Sequence, residues 1–109
     1  MKKIIVTGAN GFIGSAFIRE LTNHQNIECV IALDREGCCS NIPKDKRVLF
    51  MPMDLENMEI LAEQIPVDDY DAFYHFAWVG SAGPQRCDTQ LQLQNAQWTV
   101  CLLYTSRCV

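Results

Sequence analysis

The sequence predicts an α/β fold, the first half of a doubly wound parallel sheet, and two observations predict it. Short apolar runs such as Ile4-Ile5-Val6 and Cys29-Val30-Ile31-Ala32-Leu33 alternate with segments whose apolar residues recur at helical spacing. That alternation implies parallel strands joined by right-handed crossovers. The first run also passes directly into a glycine-punctuated turn, Thr7-Gly8-Ala9-Asn10-Gly11-Phe12-Ile13-Gly14, which opens an amphipathic segment.

Taken in order, the elements are a strand over 3–7, a helix over 12–22, strands over 29–34 and 47–53, a helix over 58–65, a strand over 72–77 and a helix over 88–100. In the first helix Ile13, Phe17, Ile18 and Leu21 share one face, as a helix lying on a sheet requires, and Asn23-His24-Gln25-Asn26 ends it. The second strand finishes at Asp34. The stretch from Arg35 to Lys46, with Gly37, Pro43 and several charges, reads as a loop beside a ligand bound at the strand ends or as a solvated connection. Asn57 is placed to cap the helix over 58–65. The expected spatial order of strands is 3-2-1-4. This leaves the fourth strand at an edge, where Phe73, Tyr74 and Phe76 favour self-association.

The glycine turn carries the chemistry. At a strand-to-helix junction the first helical turn has unpaired backbone N–H groups, and the aligned peptide dipoles favour an anion. A pyrophosphate meets both conditions. Gly8 permits the tight turn, Gly11 removes a Cβ from the path of the phosphates, and Gly14 permits close packing of the helix. Three glycines alone also suit an ordinary loop. Asp34 adds weight, because it lies 20 residues beyond Gly14, where a carboxylate can accept hydrogen bonds from ribose hydroxyls, although an acid past a strand is often merely solvated. A carboxylate there repels a 2′-phosphate, so NAD is expected over NADP. Arg35 could pair with that phosphate, but no Lys or Arg occurs from Thr7 to Ile18.

The spacing Gly8-x-x-Gly11-x-x-Gly14 resembles the extended short-chain dehydrogenase/reductase family, which includes NAD-dependent sugar epimerases and dehydratases. Met53-Asp54-Leu55 resembles that family's Asp-Leu step, whose carboxylate accepts from the adenine amino group. Phe73-Tyr74-His75-Phe76-Ala77-Trp78 resembles its fourth strand, the end of which lies along the cofactor, with Trp78 where a small residue is usual. Asn95, four residues before Thr99, resembles a helix asparagine that supports the active site. The resemblance thus implies a Rossmann fold and a cofactor site made from Gly8, Asn10, Gly11, Phe12, Ile13, Gly14, Asp34, Arg35, Asp54, Leu55, Phe76, Ala77, Trp78 and Asn95. His75 is read as a core group without chemistry. The resemblance further implies a nucleotide-sugar substrate and allows a homodimer for a full-length protein. The family's catalytic Tyr-x-x-x-Lys pair does not occur in this sequence, whose lysines are Lys2, Lys3, Lys44 and Lys46 and whose tyrosines are Tyr70, Tyr74 and Tyr104. No catalytic residue is therefore assigned. A nucleotide-binding sensor without catalysis, or a fragment without function, stays open beside the enzyme reading.

Composition bounds the rest. The 109 residues are 49% hydrophobic and 20% charged, which suits one globular unit over 1–100. No apolar run reaches the length of a membrane span, and the cytoplasm is the expected place. A net charge of −4 without a basic stripe argues against a nucleic-acid partner. The six cysteines show no metal-ligand spacing and are expected as free thiols, with no metal bound. The last nine residues are expected to fit neither helix nor family. Cys101 to Ser106 matches one reading frame of a transposase end sequence used in DNA library preparation, and Arg107-Cys108-Val109 matches the inverted element before its stop. Residues 101–109 are therefore read as an adapter translation that truncates the domain.

Overall fold

Lys3–Thr7 forms strand β1, which is buried from Ile4 onward because it lies inside the sheet. The computed structural model describes residues 3–54, 65, 70–78 and 83–108, with backbone only at 83 and 101–108. Strands β2 (Cys29–Asp34), β3 (Val48–Pro52) and β4 (Ala72–His75) join β1 in a parallel sheet of order β3-β2-β1-β4, as expected. The register pairs Thr7 with Leu33 and with His75, and Asp34 with Pro52. The carboxyl ends of all four strands therefore line one edge, where doubly wound sheets bind ligands.

The side chains of β1 and β2 divide between two cores by simple alternation. Ile4, Val6, Val30 and Ala32 pack with Ile18 and Leu21 of helix α1 (Phe12–Thr22) and with Ile27 and Ile42. Ile5, Ile31 and Leu33 pack on the other face with Met53, Ile65 and the partly buried Trp98 of helix α2 (Thr89–Cys108). Burial on both faces explains why these two strands read as continuous apolar runs.

Three elements differ from expectation in their limits. β3 is shorter by one residue at each end. β4 stops at His75, where the Phe76 N–H divides between the Thr7 carbonyl and hydroxyl and the Ala77 N–H turns to the hydroxyl. α2 runs to Cys108 rather than to 100, so the expectation that the last residues fit no helix is corrected. No Gly or Pro occurs between Thr89 and Cys108, and nothing in the local sequence stops the helix. Its start is capped by Asp88, whose Oδ1 accepts from the Leu91 N–H at 3.1 Å. The helix expected over 58–65 lies outside the described residues, apart from the buried Ile65. Of the aromatic residues here, Phe73 packs partly buried against the second core and Tyr74 against the first, while Phe76, just past β4, stays exposed; Tyr74 and Phe76 pack on Phe17 with ring centroids 4.5 and 5.7 Å away.

Far from the carboxyl edge, Arg47 fastens the C-terminal end of α1. Its guanidinium donates to the Thr22 carbonyl at 2.5 Å, to His24 at 2.9 Å and to Ile27 at 3.4 Å, carbonyls at the end of the helix and in the following turn, of which His24 also accepts from the Ile27 N–H. Asp45 orients the fork through Nε at 3.1 Å and a terminal nitrogen at 2.9 Å. These hydrogen bonds from Arg47 lower the Asp45 pKa from 3.8 to about 2. A depressed carboxylate pKa contributes stability above the unfolded value and loses it as pH falls toward the folded one. Asp45→Asn is thus expected to be less stable than wild type in urea at pH 5, with a difference that shrinks by pH 3; a constant difference would contradict this assignment.

Candidate functional site

The turn from β1 to α1 is shaped by backbone contacts that leave no room for side chains at two positions. Gly8 has φ +65°, and a Cβ there would lie 2.7 Å from the Ala77 nitrogen and 2.8 Å from the Phe76 carbonyl carbon. A Cβ at Gly14 would overlap the Gly8 carbonyl oxygen. Gly14 therefore lets α1 close on the turn itself rather than on the strand. Gly11 is different, since the one neighbour a Cβ would meet is the Gly8 carbonyl oxygen at 3.3 Å. The protein's own packing requires Gly8 and Gly14; it barely requires Gly11.

Gly11 is also the N-cap of α1. It supplies no side-chain cap, and the first turn contains no acidic residue. The N–H groups of Phe12, Ile13 and Gly14 have no acceptor within the helix, because the first intrahelical bond runs from Ser15 N to Gly11 O at 2.9 Å. The side chains of Phe12 and Ile13 stand out from the body, 92% and 64% exposed. An uncapped amide cluster of this kind favours an anion.

Asp34 stands beside that cluster. Its Oδ2 accepts from the Asn10 N–H at 2.9 Å and its Oδ1 from the Arg35 N–H at 2.8 Å, so the carboxylate both closes β2 and holds the apex of the turn. The Asp34 carbonyl accepts from Met53 N at 2.7 Å, which brings the exposed Asp54 to the same edge. Leu55 lies outside the described residues. The stretch from Arg35 to Lys46 is not simply a solvated connection. Ile42 is buried in the first core, and Asn41 donates from its backbone to Asn10 Oδ1 at 2.7 Å and from Nδ2 to the Asn10 carbonyl at 3.1 Å.

On the β4 side the fastening is partly buried. The fully buried Thr7 accepts from Phe76 N at 3.1 Å and Ala77 N at 3.3 Å, which occupies both hydroxyl lone pairs. Its one hydrogen is then directed to His75 Nδ1, 2.6 Å away. This assigns the remaining ring proton to Nε2, which donates to Thr99 Oγ1 at 3.3 Å, and the Thr99 hydroxyl donates to the Asn95 carbonyl at 2.9 Å. Burial lowers the His75 pKa, in keeping with a neutral ring that both hydroxyls hold in one tautomer. Asn95 itself is 1% exposed, with Nδ2 3.4 Å from Gln92 Oε1, so it meets the site from behind. The same Gln92 oxygen accepts from Trp78 Nε1 at 2.6 Å, which fixes the half-exposed indole past the end of β4.

A model of the NAD dependent epimerase/dehydratase family matches residues 4–107. The chain belongs to that family. The match also runs past residue 100, which corrects the expectation that the last residues fit no family pattern. Over 82 residues the chain is 29% identical to dTDP-glucose 4,6-dehydratase of Haemophilus influenzae, covering 71% of this chain and 24% of that protein. UDP-glucuronic acid 4-epimerase from Bacillus cereus, solved in complex with NAD, superposes with a TM-score of 0.68 at 28% identity, covering 94% of this chain and 35% of that one. Epimerase Mth375 from Methanothermobacter thermautotrophicus gives 0.73 at 25% identity, covering 99% and 32%. The chain therefore spans about a quarter to a third of these relatives.

The edge brings together the turn from Gly8 to Gly14, Asp34, Arg35, Asp54 and the segment from Phe76 to Trp78. Thr7, Asn41 and Thr99 join them as supports, of which only Asn41 lies outside the motifs. The signal for Thr7 and His75 was their adjacency at two strand ends; Asn41 had none.

Two outcomes test this geometry. Gly8→Ala and Gly14→Ala are expected to lower unfolding free energy in urea by more than about 1 kcal/mol, since left-handed backbone alone costs roughly 1–2 kcal/mol for a residue with Cβ and backbone overlap adds to either variant. Gly11→Ala should stay close to wild type; equal losses at all three would contradict the division. For His75, a folded pKa below the unfolded 6.5 means stability is full above 6.5 and falls as pH drops below it toward the lowered value. The melting temperature should fall from pH 7.5 to pH 5.5 in wild type and less steeply in His75→Gln.

Proposed function

We propose that the chain is the cofactor-binding part of an NAD-dependent epimerase, dehydratase or reductase acting on a nucleotide sugar. One observation carries the reading: the uncapped N-terminus of α1 and the Asp34 carboxylate stand side by side, joined by the 2.9 Å bond from Asn10. The first is suited to a pyrophosphate and the second to the hydroxyls of a neighbouring ribose.

In this assignment the N–H groups of Phe12, Ile13 and Gly14 hold the phosphates, and Gly11 leaves the approach open. Asp34 binds the adenosine ribose, with Asp54 and Leu55 at the adenine. Phe76, Ala77 and Trp78 flank the nicotinamide end, with Asn95 supporting them from α2. The bound nicotinamide would supply the hydride acceptor and donor. None of the 109 residues is assigned to catalysis. The names of the relatives, a dTDP-glucose dehydratase and a UDP-glucuronic acid epimerase solved with NAD, support the cofactor and the substrate class.

The sign of the charge at Asp34 favours NAD over NADP, because the carboxylate would face the 2′-phosphate. In calorimetric titration NADH is expected to bind at least about tenfold more tightly than NADPH, a difference of roughly 1.4 kcal/mol. Asp34→Ala should narrow that gap. Tighter binding of NADPH by the wild type would overturn the assignment.

A further inference from the structure

Asn10, at the apex of the turn, is held through three atoms. Its N–H donates to Asp34 Oδ2 at 2.9 Å, its Oδ1 accepts from the Asn41 N–H at 2.7 Å, and its carbonyl accepts from Asn41 Nδ2 at 3.1 Å. Asn41 lies 31 residues further along, in the stretch between β2 and β3, and its two donors match two acceptors that face outward from the turn. The neighbouring Ile42 is buried in the first core, so the segment carrying Asn41 is anchored independently of this pair. Asn41 itself is exposed and fills no space in the core. A residue so placed contributes little to folding, yet it decides where the Asn10 peptide sits. That peptide lies between the Asp34 carboxylate and the first free amides of α1.

We infer that Asn41 is a positioning residue for the cofactor: it clasps Asn10 and so holds the amide cluster of α1 at a fixed offset from Asp34. This inference rests on the proposed cofactor reading and adds to it a residue outside the glycine motif. Its effect falls on the adenosine diphosphate half, because both atoms it holds belong to Asn10, which in turn donates to Asp34, and neither belongs to the segment from Phe76 to Trp78. A small displacement of a preorganised donor set weakens binding without removing a contact.

Asn41→Asp replaces the donor Nδ2 with an oxygen that faces the Asn10 carbonyl, and Asn41→Ala simply removes it. The test compares NADH and ADP-ribose binding to wild type and to both variants by calorimetry, beside melting temperatures. Asn41→Asp is expected to weaken both ligands by about tenfold or more and Asn41→Ala by about threefold or more, the sizes of a repulsive contact and of one lost hydrogen bond. Within each variant the two ligands should lose affinity by the same factor, while the melting temperature stays within about 2 °C, as for an exposed substitution. Unchanged affinity in Asn41→Ala overturns the inference, even if Asn41→Asp fails to fold. A loss of affinity that appears only with a matching loss of melting temperature also overturns it, since Asn41 would then act on the fold. Absence of ADP-ribose binding by the wild type would instead overturn the cofactor reading, and this inference with it.

Discussion

At Gly8 two segments of backbone meet with no side chain between them, and the remainder of the carboxyl edge is arranged around that contact. The chain leaves β1 with a positive φ directly against the Phe76–Ala77 peptide, and six residues later Gly14 returns against the Gly8 carbonyl. Both contacts exist because a Cβ is missing. They bring the start of α1 close to the sheet and aim its free amides over the strand ends. A helix entered through a longer or bulkier connection would present the same donors at a greater distance from Asp34.

Two sets of hydrogen bonds hold this crossing, and they differ in kind. Toward β4, Thr7, His75 and Thr99 form a directed chain from backbone N–H groups to a helix carbonyl, in which every hydroxyl proton has one destination. That chain is partly buried, and an imidazolium would turn Nδ1 into a donor facing a hydroxyl whose lone pairs are already occupied. Toward β2, the half-buried Asp34 and Asn10 and the exposed Asn41 form a set that includes a carboxyl side chain. The first set suits a rigid support. The second stands where the ribose hydroxyls of a ligand would share the Asp34 oxygens as acceptors and its phosphates would take the neighbouring amide donors.

Much of this was legible because the constraints act over short stretches of chain. Burial on both faces makes β1 and β2 apolar throughout, and the strand-turn-helix junction needs glycine at fixed offsets. The strand order and the limits of α1 followed from these patterns. Asn41 could not be read in the same way, because its partner is 31 residues away and a polar residue in a charged loop looks solvated. Arg47 was hidden for the same reason: its acceptors are backbone carbonyls, which carry no mark of residue type. The length of α2 was missed because residues 101–108 were read for their resemblance to an adapter, while the local stop signals that govern a helix end are absent before Cys108. For Gly11 the motif and the packing give different information. Its place in the pattern is plain, but only the structure shows that the fold itself scarcely needs a glycine there.

The central claim is that the turn is a preformed anion site set beside a ribose-binding carboxylate. Backbone amide chemical shifts of isotopically labelled protein, followed during titration with NAD, test it most directly. The account predicts large shifts at Gly11, Phe12, Ile13, Gly14 and Asp34, with the amides of Ile4, Ile5, Val30 and Ile31 unmoved. Saturation without perturbation of residues 11–14, or shifts spread evenly through the central strands, would contradict it.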